Sequence, residues 1–536
     1  MQVQETQTQV LVVGGGMGGV AAALAALRNG ASAVLTEPTD WLGGQLTAAL
    51  CPPDDHRRIE HTGASRAYRR FREAIRDWYR KNLPLTDAAR DDPRLNPGAG
   101  WASPLCAEPR AALAVIDELL APYRADGRLR LLTEHTPVAV HTTGDRIDAV
   151  TLLSTRDGGE VTVHARYVLD ATEFGDLLDL GGIEHVSGKE SRAETGEPSA
   201  ADTADPLDMQ SATWCFAIEH REGEDHTIDR PTAYDHFRAW RPPAWQGRPI
   251  LDYLGPAEAD IPPRPYQLVV NPDDDPRAID ADHRNLPHSL ELWTYRRVRC
   301  RRQLQPGTYD SDITVVNWPM NDYTGGPIFG TPDAAFHQEQ ARQLSLSLLY
   351  WLQTEAPRPD GGTGWPGLRL CPDVTGTADG LAKIPYVRES RRIRAVTTIV
   401  EQDVSIAILG DRDARRYPDS VGVGHYYWID RHTTTRGGIV SGGLPQPFEI
   451  PLGALLPVRV TNLLAAAKNI GTTHVTNGCY RMHPVEWACG EAAGALAAHC
   501  LATGATPHQV QARPEAFQER LTADGFQLRW PEGTRW

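Results

Sequence analysis

The chain opens on an unbroken apolar run, Val10-Leu11-Val12-Val13. A short β-branched run ending at glycine predicts a strand covered on both faces. Val20-Ala21-Ala22-Ala23-Leu24-Ala25-Ala26-Leu27 follows, apolar throughout and rich in helix formers, and Asn29-Gly30 stops it. A second apolar run, Ala33-Val34-Leu35, leads to Glu37. The pattern predicts strand, turn, helix, strand. From Arg66 to Arg80, Tyr68, Phe71, Ile75, Trp78 and Tyr79 recur at helical spacing, as do Leu113, Ile116, Leu119 and Leu120 between Pro109 and Tyr123. Strand-like stretches come next at Arg128–Leu132, Thr136–Thr142, Ile147–Ser154 and Glu160–Ala165, the last running into "RYVLDATEFGDLL".

Elsewhere the pattern is less regular. Residues 82–104, rich in Pro, Asp and Gly, predict a surface excursion, and Ser187 to Asp208 is polar and acidic and predicts a mobile loop. From about 185 to 450 tryptophans, prolines and short strands dominate, without βα alternation. Residues 460–504 return to the opening texture: a strand, a loop, and a helix starting near Pro484 with a slim face at Gly490, Ala492, Ala493, Gly494 and Ala495. No internal repeat is visible.

The turn after the first strand, Gly14-x-Gly16-x-x-Gly19, gives the pattern its chemistry. Gly14 allows a tight turn, Gly16 lets a pyrophosphate reach the main chain, and Gly19 lets helix pack on strand. The helix N-terminus then faces the phosphates. Glu37 is placed to accept hydrogen bonds from ribose hydroxyls. This is a dinucleotide-binding pattern, and the alternative is a structural glycine turn.

Composition narrows the class. The 536 residues carry a net charge of −15, 41% hydrophobic and 23% charged residues, an ordinary globular balance that argues against a nucleic-acid surface and gives no support to an anionic-membrane partner. The eight cysteines form no CxxC pair or metal-ligand spacing, no apolar run approaches a membrane span, and a strand starting near residue 9 leaves no room for a signal peptide. No metal is expected. The expectation is a cytoplasmic protein with a small-molecule substrate, no nucleic-acid or membrane partner, and a homo-oligomer allowed.

The late segment "TNLLAAAKNIGTTHVTNGCYRMHPVEWACGEAAGALAAHCL" separates a flavin from a nicotinamide reading, because a flavin ring lies beyond the edge of the first strand–helix unit. The chain resembles FAD-dependent oxidoreductases related to the fumarate reductase and glutathione reductase superfamily. The resemblance runs through Val10–Gln45, Glu108–Thr172 and Leu463–Ala498, with a central signature "KIPYVRESRRI". "WLGGQLT" corresponds to that group's loop beside pyrophosphate and flavin. "LDATEFGD" resembles its second FAD motif, with Glu173 where a core glycine is common. The resemblance implies FAD held by Gly14, Gly16, Met17, Gly18, Gly19, Glu37, Pro38, Gly43, Gly44, Gln45, the main chain at Val138, Ala171, Thr172, Asp176, Asn469, Arg481 and Gly490. It implies an α/β fold: a split, glutathione-reductase-type Rossmann-like FAD domain from residues 1–50, 105–182 and 452–505. A helical excursion (51–104), an inserted mixed α/β substrate domain (183–451) and a C-terminal extension (506–536) complete it.

A second strand–GxGxxG–helix for NAD(P)H is not found. Gly437-Gly438 with Gly442-Gly443, and Gly361-Gly362-x-Gly364, follow no buried strand. The leading expectation is an oxidase or dehydrogenase in which a small polar substrate gives hydride to flavin N5. Alternatives are a flavin monooxygenase, a non-redox hydratase or lyase, and a non-catalytic FAD binder. In "VGHYYWIDRHTTTRGG", strand periodicity places Asp430 and His432 on one face, where Asp430 would orient His432 as a general base. Arg481, His483 and Glu486 crowd the loop before the late helix. Arg481 would favour reduced flavin, and His483 would act as acid or base or brace the helix. Asp54, Asp55, His56 and His61 in "CPPDDHRRIEHTG" are further pocket candidates, with a histidyl–flavin bond at His56 or His61 open. Arg388, Arg391, Arg392 and Arg394 around Glu389 suit either a carboxylate substrate or internal ion pairs.

Overall fold

A computed structural model describes residues 4–257, 263–278, 290–429, 433–438 and 443–535. The elements that position the site are, in chain order, β1 (Gln4–Val13), α1 (Met17–Arg28), β2 (Ala33–Glu37), α2 (Arg66–Asn82), α3 (Pro109–Ala125), β3 (Leu129–Thr133), β4 (His135–Thr143), β5 (Arg146–Ser154) and β6 (Glu160–Asp170). They continue with β7 (Phe216–His220), β8 (Arg297–Arg299), β9 (Ile313–Val316), α4 (Ala334–Thr354), β10 (Leu368–Leu370), β11 (Leu463–Ala465), α5 (His474–Tyr480) and α6 (His483–Thr503).

The main sheet runs β3-β2-β1-β6-β5-β4. Its β3, β2, β1 and β6 pair in parallel, and β11 joins parallel to the C-terminal end of β6, Leu463 opposite Val168. The other end of β6 pairs antiparallel with β5, and β5 with β4. Val10 to Val13 are fully buried between layers, which accounts for their lack of polar alternation. α1 is apolar all round because it is also covered on both sides: the sheet lies against one face and α6 against the other. The small residues make that contact. A Cβ on Gly490 would overlap the Gly18 carbonyl oxygen, and one on Gly494 the Ala22 carbonyl oxygen. A mixed α/β fold built on a parallel sheet is what the opening pattern led one to expect.

A second core surrounds the antiparallel sheet β8-β9-β7-β10 and α4. Ala49, Leu50 and Cys51 belong to it, so the chain that leaves the glycine loop at Gly43-Gly44 runs directly from the first core into the second. Two expectations fail here. The excursion at 82–104 turns inward: Leu95 and Ala99 are fully buried, and the Arg297 guanidinium, itself buried, donates from Nε to the Gly98 carbonyl (2.7 Å). The acidic stretch at 187–208 is anchored too. Glu190 pairs with the buried Arg392 (2.9 Å), and Glu197 accepts from the Thr473 hydroxyl and the Glu401 amide, each at 2.7 Å. Its carboxylates serve buried partners, which polar composition alone does not distinguish from solvation.

Candidate functional site

The glycine turn is held by backbone and by one acid. Gly14 takes φ +100°, and a Cβ there would overlap the Ala171 carbonyl oxygen. The Gly15 amide donates to Glu37 Oε2 (3.0 Å), and Thr39 donates to Oε1 from its amide (3.1 Å) and hydroxyl (2.8 Å). Burial pushes Glu37 up to about 7, against these hydrogen bonds. The Gly43 amide donates to the Gly15 carbonyl (2.7 Å), and a Cβ on Gly44 would stand 2.7 Å from Gly16 Cα, so loop and turn interlock.

Carboxylates stand at the N-terminus of α1. Glu486 Oε1 accepts from the Gly18 amide (3.1 Å), and Glu486 Oε2 accepts from Gln45 Nε2. A Cβ on Gly16 would lie 3.2 Å from Glu173 Oε1 and 3.3 Å from Glu486 Oε1. Lys468 pairs with Glu173 and lies 3.7 Å from Glu486. Burial works to lower the Lys468 pKa, but Glu173 and Glu486 outweigh it and hold the ammonium above its ordinary range. This helix end favours negative charge, and side-chain carboxylates supply it.

A second polar cluster lies where the 45–56 segment meets the start of α6. The Cys51 amide donates to the Gln45 carbonyl (2.9 Å), turning the chain so that Asp54 points inward. Asp54 Oδ2 accepts from the Tyr386 hydroxyl (3.0 Å), which accepts from Arg481 Nη1 (3.0 Å). Nη1 and Nη2 of Arg296 each lie 3.4 Å from Asp54 Oδ1, and Nη1 lies 3.2 Å from Cys51 Sγ. The Asp54 amide donates to Nδ1 of His483, the first residue of α6 (3.0 Å). Cys51, Asp54, Arg296, Tyr386, Arg481 and His483 are all buried.

Burial raises the Asp54 pKa, but the charge of Arg296, with that of Arg481 and the Tyr386 hydrogen bond, outweighs it and holds the carboxyl below its ordinary range. Burial pushes His483 down to about 4, so the imidazole is neutral, and its accepting Nδ1 assigns the proton to Nε2. Burial pushes the Cys51 thiol up to about 12, so it is no thiolate. Arg296 Nε, Arg388 Nε, His483 Nε2 and Gln45 Oε1 are buried without a hydrogen-bond partner.

The other expected residues fall in several places. Asp430 and His432 lie outside the described residues. Tyr426, in the same run, is close enough that Asp54 and Arg481 act on its phenol, which burial first pushes well above its ordinary value. His56 spends both ring nitrogens within its own loop, accepting from the Arg58 amide (3.1 Å) and donating to the Gly63 carbonyl (3.1 Å). Asp55 binds the Tyr68 hydroxyl (2.8 Å) and Arg72 (2.9 Å), and His61 meets Arg94 (3.1 Å). The arginines around Glu389 form internal pairs: Arg392 with Glu389 and Glu190, Arg388 with Asp322, Arg391 with Asp176 and Asp179.

Of the residues expected at the cofactor, Met17 and Gly18 are buried in the α1 packing, Gly19 lies over the Gly14 carbonyl, and Gly490 is buried against Gly18. Ala171 donates its amide to the Val13 carbonyl (2.7 Å). Thr172 and Asn469 bind Asp170, and Thr172 Oγ1 accepts from the Asp176 amide (2.7 Å). Pro38 is exposed, and Val138 sits in a β4 bulge with its side chain exposed. Sequence reasoning missed Arg296 and Tyr386. Tyr386 stood inside the quoted signature "KIPYVRESRRI", whereas nothing local distinguishes Arg296.

Residues 9–521 match the family model described as FAD dependent oxidoreductase, and the chain belongs to that family. The protein is therefore an FAD-dependent oxidoreductase. No curated protein matches its sequence. Among solved structures it is similar to L-proline dehydrogenase from P. horikoshii, at 16% identity over 35% of this chain and 25% of that one, TM-score 0.18. It is also similar to the flavin-dependent monooxygenase PieE (15% identity, 41% and 36% covered, TM-score 0.25) and to Thermovibrio ammonificans THI4 (16%, 34% and 67%, TM-score 0.22). The chain thus spans a quarter of the first of these, and TM-scores this low carry no argument about its chemistry.

The donor set fits FAD. The glycine turn places no Cβ of its own at the N-terminus of α1, Glu37 ends β2, and Gln45 leaves a buried Oε1 in the loop that interlocks with that turn.

Proposed function

We propose that this enzyme is an oxidase or dehydrogenase that takes hydride from a small polar organic substrate. We assign residues 1–50, 105–182 and 452–505 to the cofactor and 183–451 to the substrate, in the manner of the superfamily that the sequence resembles. The observation that carries the reading is the buried cluster of Asp54, Arg296, Tyr386, Arg481 and His483 at the start of α6. FAD, when bound, supplies the hydride acceptor. The Gly14–Gly19 turn, Glu37 and the Gly43–Gln45 loop would hold it.

The chain's own residues bind and orient the substrate and remove its proton. Asp54 is held ionised by its cationic neighbours and is therefore a weak base. His483 has committed Nδ1 to the Asp54 amide. Neither is matched to proton abstraction near neutrality, which leaves His432, oriented by Asp430, as the proposed base. Arg481 supplies a fixed positive charge beside Tyr386.

The test is anaerobic mixing of the FAD-loaded protein with small polar alcohols, amines and acids. One class should bleach the oxidised flavin band, and His432→Ala should retain FAD but slow bleaching by roughly 10²–10⁴-fold. Wild-type bleaching in His432→Ala would place the base elsewhere. Bleaching by none of them, with NAD(P)H consumed under oxygen, would replace the oxidase reading with a monooxygenase.

A further inference from the structure

Arg296 is an incompletely partnered member of the cluster. Its guanidinium is buried and always charged. Asp54 Oδ1 stands equidistant from Nη1 and Nη2, at 3.4 Å from each, so the aspartate sits end-on between the two terminal nitrogens. Nη1 is further occupied by Cys51 Sγ (3.2 Å). On the opposite side Nε has no hydrogen-bond partner, and Nη2 adds only the Tyr295 hydroxyl at 3.5 Å, the outer limit of a hydrogen bond. The Nε–Nη2 edge, where a guanidinium presents two parallel N–H groups, is therefore the edge with unmet hydrogen-bonding capacity.

The contrast with nearby arginines is instructive. Arg299 gives Nε and Nη2 to the two oxygens of Glu108, at 2.8 and 2.7 Å, and Arg221 gives the same pair to Glu219 at 3.0 and 3.1 Å. Both are planar fork-to-carboxylate pairs. Asp54 cannot rotate to serve Arg296 in this way, because its Oδ2 is committed to Tyr386 and its amide to His483. The Tyr295 ring lies beneath the guanidinium, 4.9 Å from its carbon, and fixes its plane.

We propose that the Nε–Nη2 edge of Arg296 binds a carboxylate of the substrate, so that the substrate class is a small carboxylic acid. This rests on the reading of the cluster as the substrate pocket. A planar carboxylate completes the fork as Glu108 completes that of Arg299. A buried donor left unmet costs free energy that the bound acid recovers.

The test is binding rather than turnover, so its failure is distinguishable from failure of the hydride-transfer reading. The FAD-loaded protein is titrated with acetate, oxalate, inorganic phosphate and acetamide, following the oxidised flavin spectrum and the heat of binding. Acetate and oxalate should bind saturably and acetamide should not. Arg296→Gln should weaken carboxylate binding about 10- to 100-fold, as expected for one charge-assisted fork. Arg296→Lys, which keeps the charge and loses the fork, should recover only part of the affinity and covers the case in which Arg296→Gln does not fold. Acetamide binding as tightly as acetate, no carboxylate binding at all, or equal acetate affinity in wild type and Arg296→Lys would each overturn the proposal. Phosphate binding tighter than either carboxylate, with the same Arg296 dependence, would overturn the ligand class.

Discussion

The turn at Gly14–Gly19 and the cluster around Asp54 use the same materials in opposite ways. Both are buried, and both rest on hydrogen bonds near 3.0 Å. At the turn, Gly15 finds Glu37 only 22 residues on, and Gly14, Gly18 and Gly19 each press so close to another backbone that none has room for a Cβ. At the cluster, Asp54 meets Arg296, Tyr386 and His483 at separations of 242, 332 and 429 residues. The turn is therefore fixed by geometry that no side chain can replace. The cluster is fixed by charge pairing among side chains that the rest of the fold must first deliver.

The largest effect separates geometry from occupancy within the turn. Gly14 combines a positive φ with a carbonyl in the place of its Cβ, so Gly14→Val should leave no folded, flavin-binding protein. Gly16 has an ordinary extended conformation, and its Cβ would press on the ends of the Glu173 and Glu486 side chains and meet the Ala171 carbonyl at an ordinary 4.0 Å. Gly16→Val should fold, with a native circular dichroism spectrum, and fail to retain FAD. Full FAD occupancy in Gly16→Val would remove the pyrophosphate reading of that glycine.

The next effect belongs to the cluster. Asp54→Asn leaves the Arg296 guanidinium buried without its carboxylate and should cost about 3–5 kcal/mol of stability. Tyr386→Phe removes one hydroxyl between two charged groups and should cost about 1–3 kcal/mol. Denaturant midpoints measure both, and each variant should keep its FAD. Loss of FAD in Tyr386→Phe would mean that cluster and turn are one cooperative unit and not two.

The same difference explains what the sequence disclosed. The glycine turn, α1, β2 and Glu37 were legible because the spacing that marks them lies within one strand–helix–strand unit. The slim face of α6 was legible because close helix packing requires small residues whatever the partner. Arg296 was not legible. It stands beside Arg297, which pairs with Asp274 and Asp312, and Arg299, which pairs with Glu108, and no local cue says which of the three meets Asp54. Glu173, a departure from the family's glycine, gains a reason only from Lys468, 295 positions away.

The smallest effect is in pH, where the two regions oppose each other. At the ends of β2 and β6, burial pushes Glu37 and Asp170 each up to about 7. Unfolded, these acids lose their protons near pH 4, so the stability they contribute is present below that pH and is lost as pH rises through 7. Near the cluster, burial pushes His56 and His483 each down to about 4. Unfolded histidine takes up its proton near pH 6.5, so their contribution is present above 6.5 and is lost as pH falls through 4. Each group alone is worth about 3–4 kcal/mol over its window, and the opposite signs of the two sets offset each other between pH 4 and 7. Removing one side should uncover the other. His56→Gln should make the FAD-free protein gain stability on acidification through this range, and Glu37→Gln should make it lose stability. Chemical denaturation at several pH values reads both slopes. Parallel slopes in the two variants would show that the buried acids and histidines titrate as one coupled system and that the two regions are not electrostatically separate.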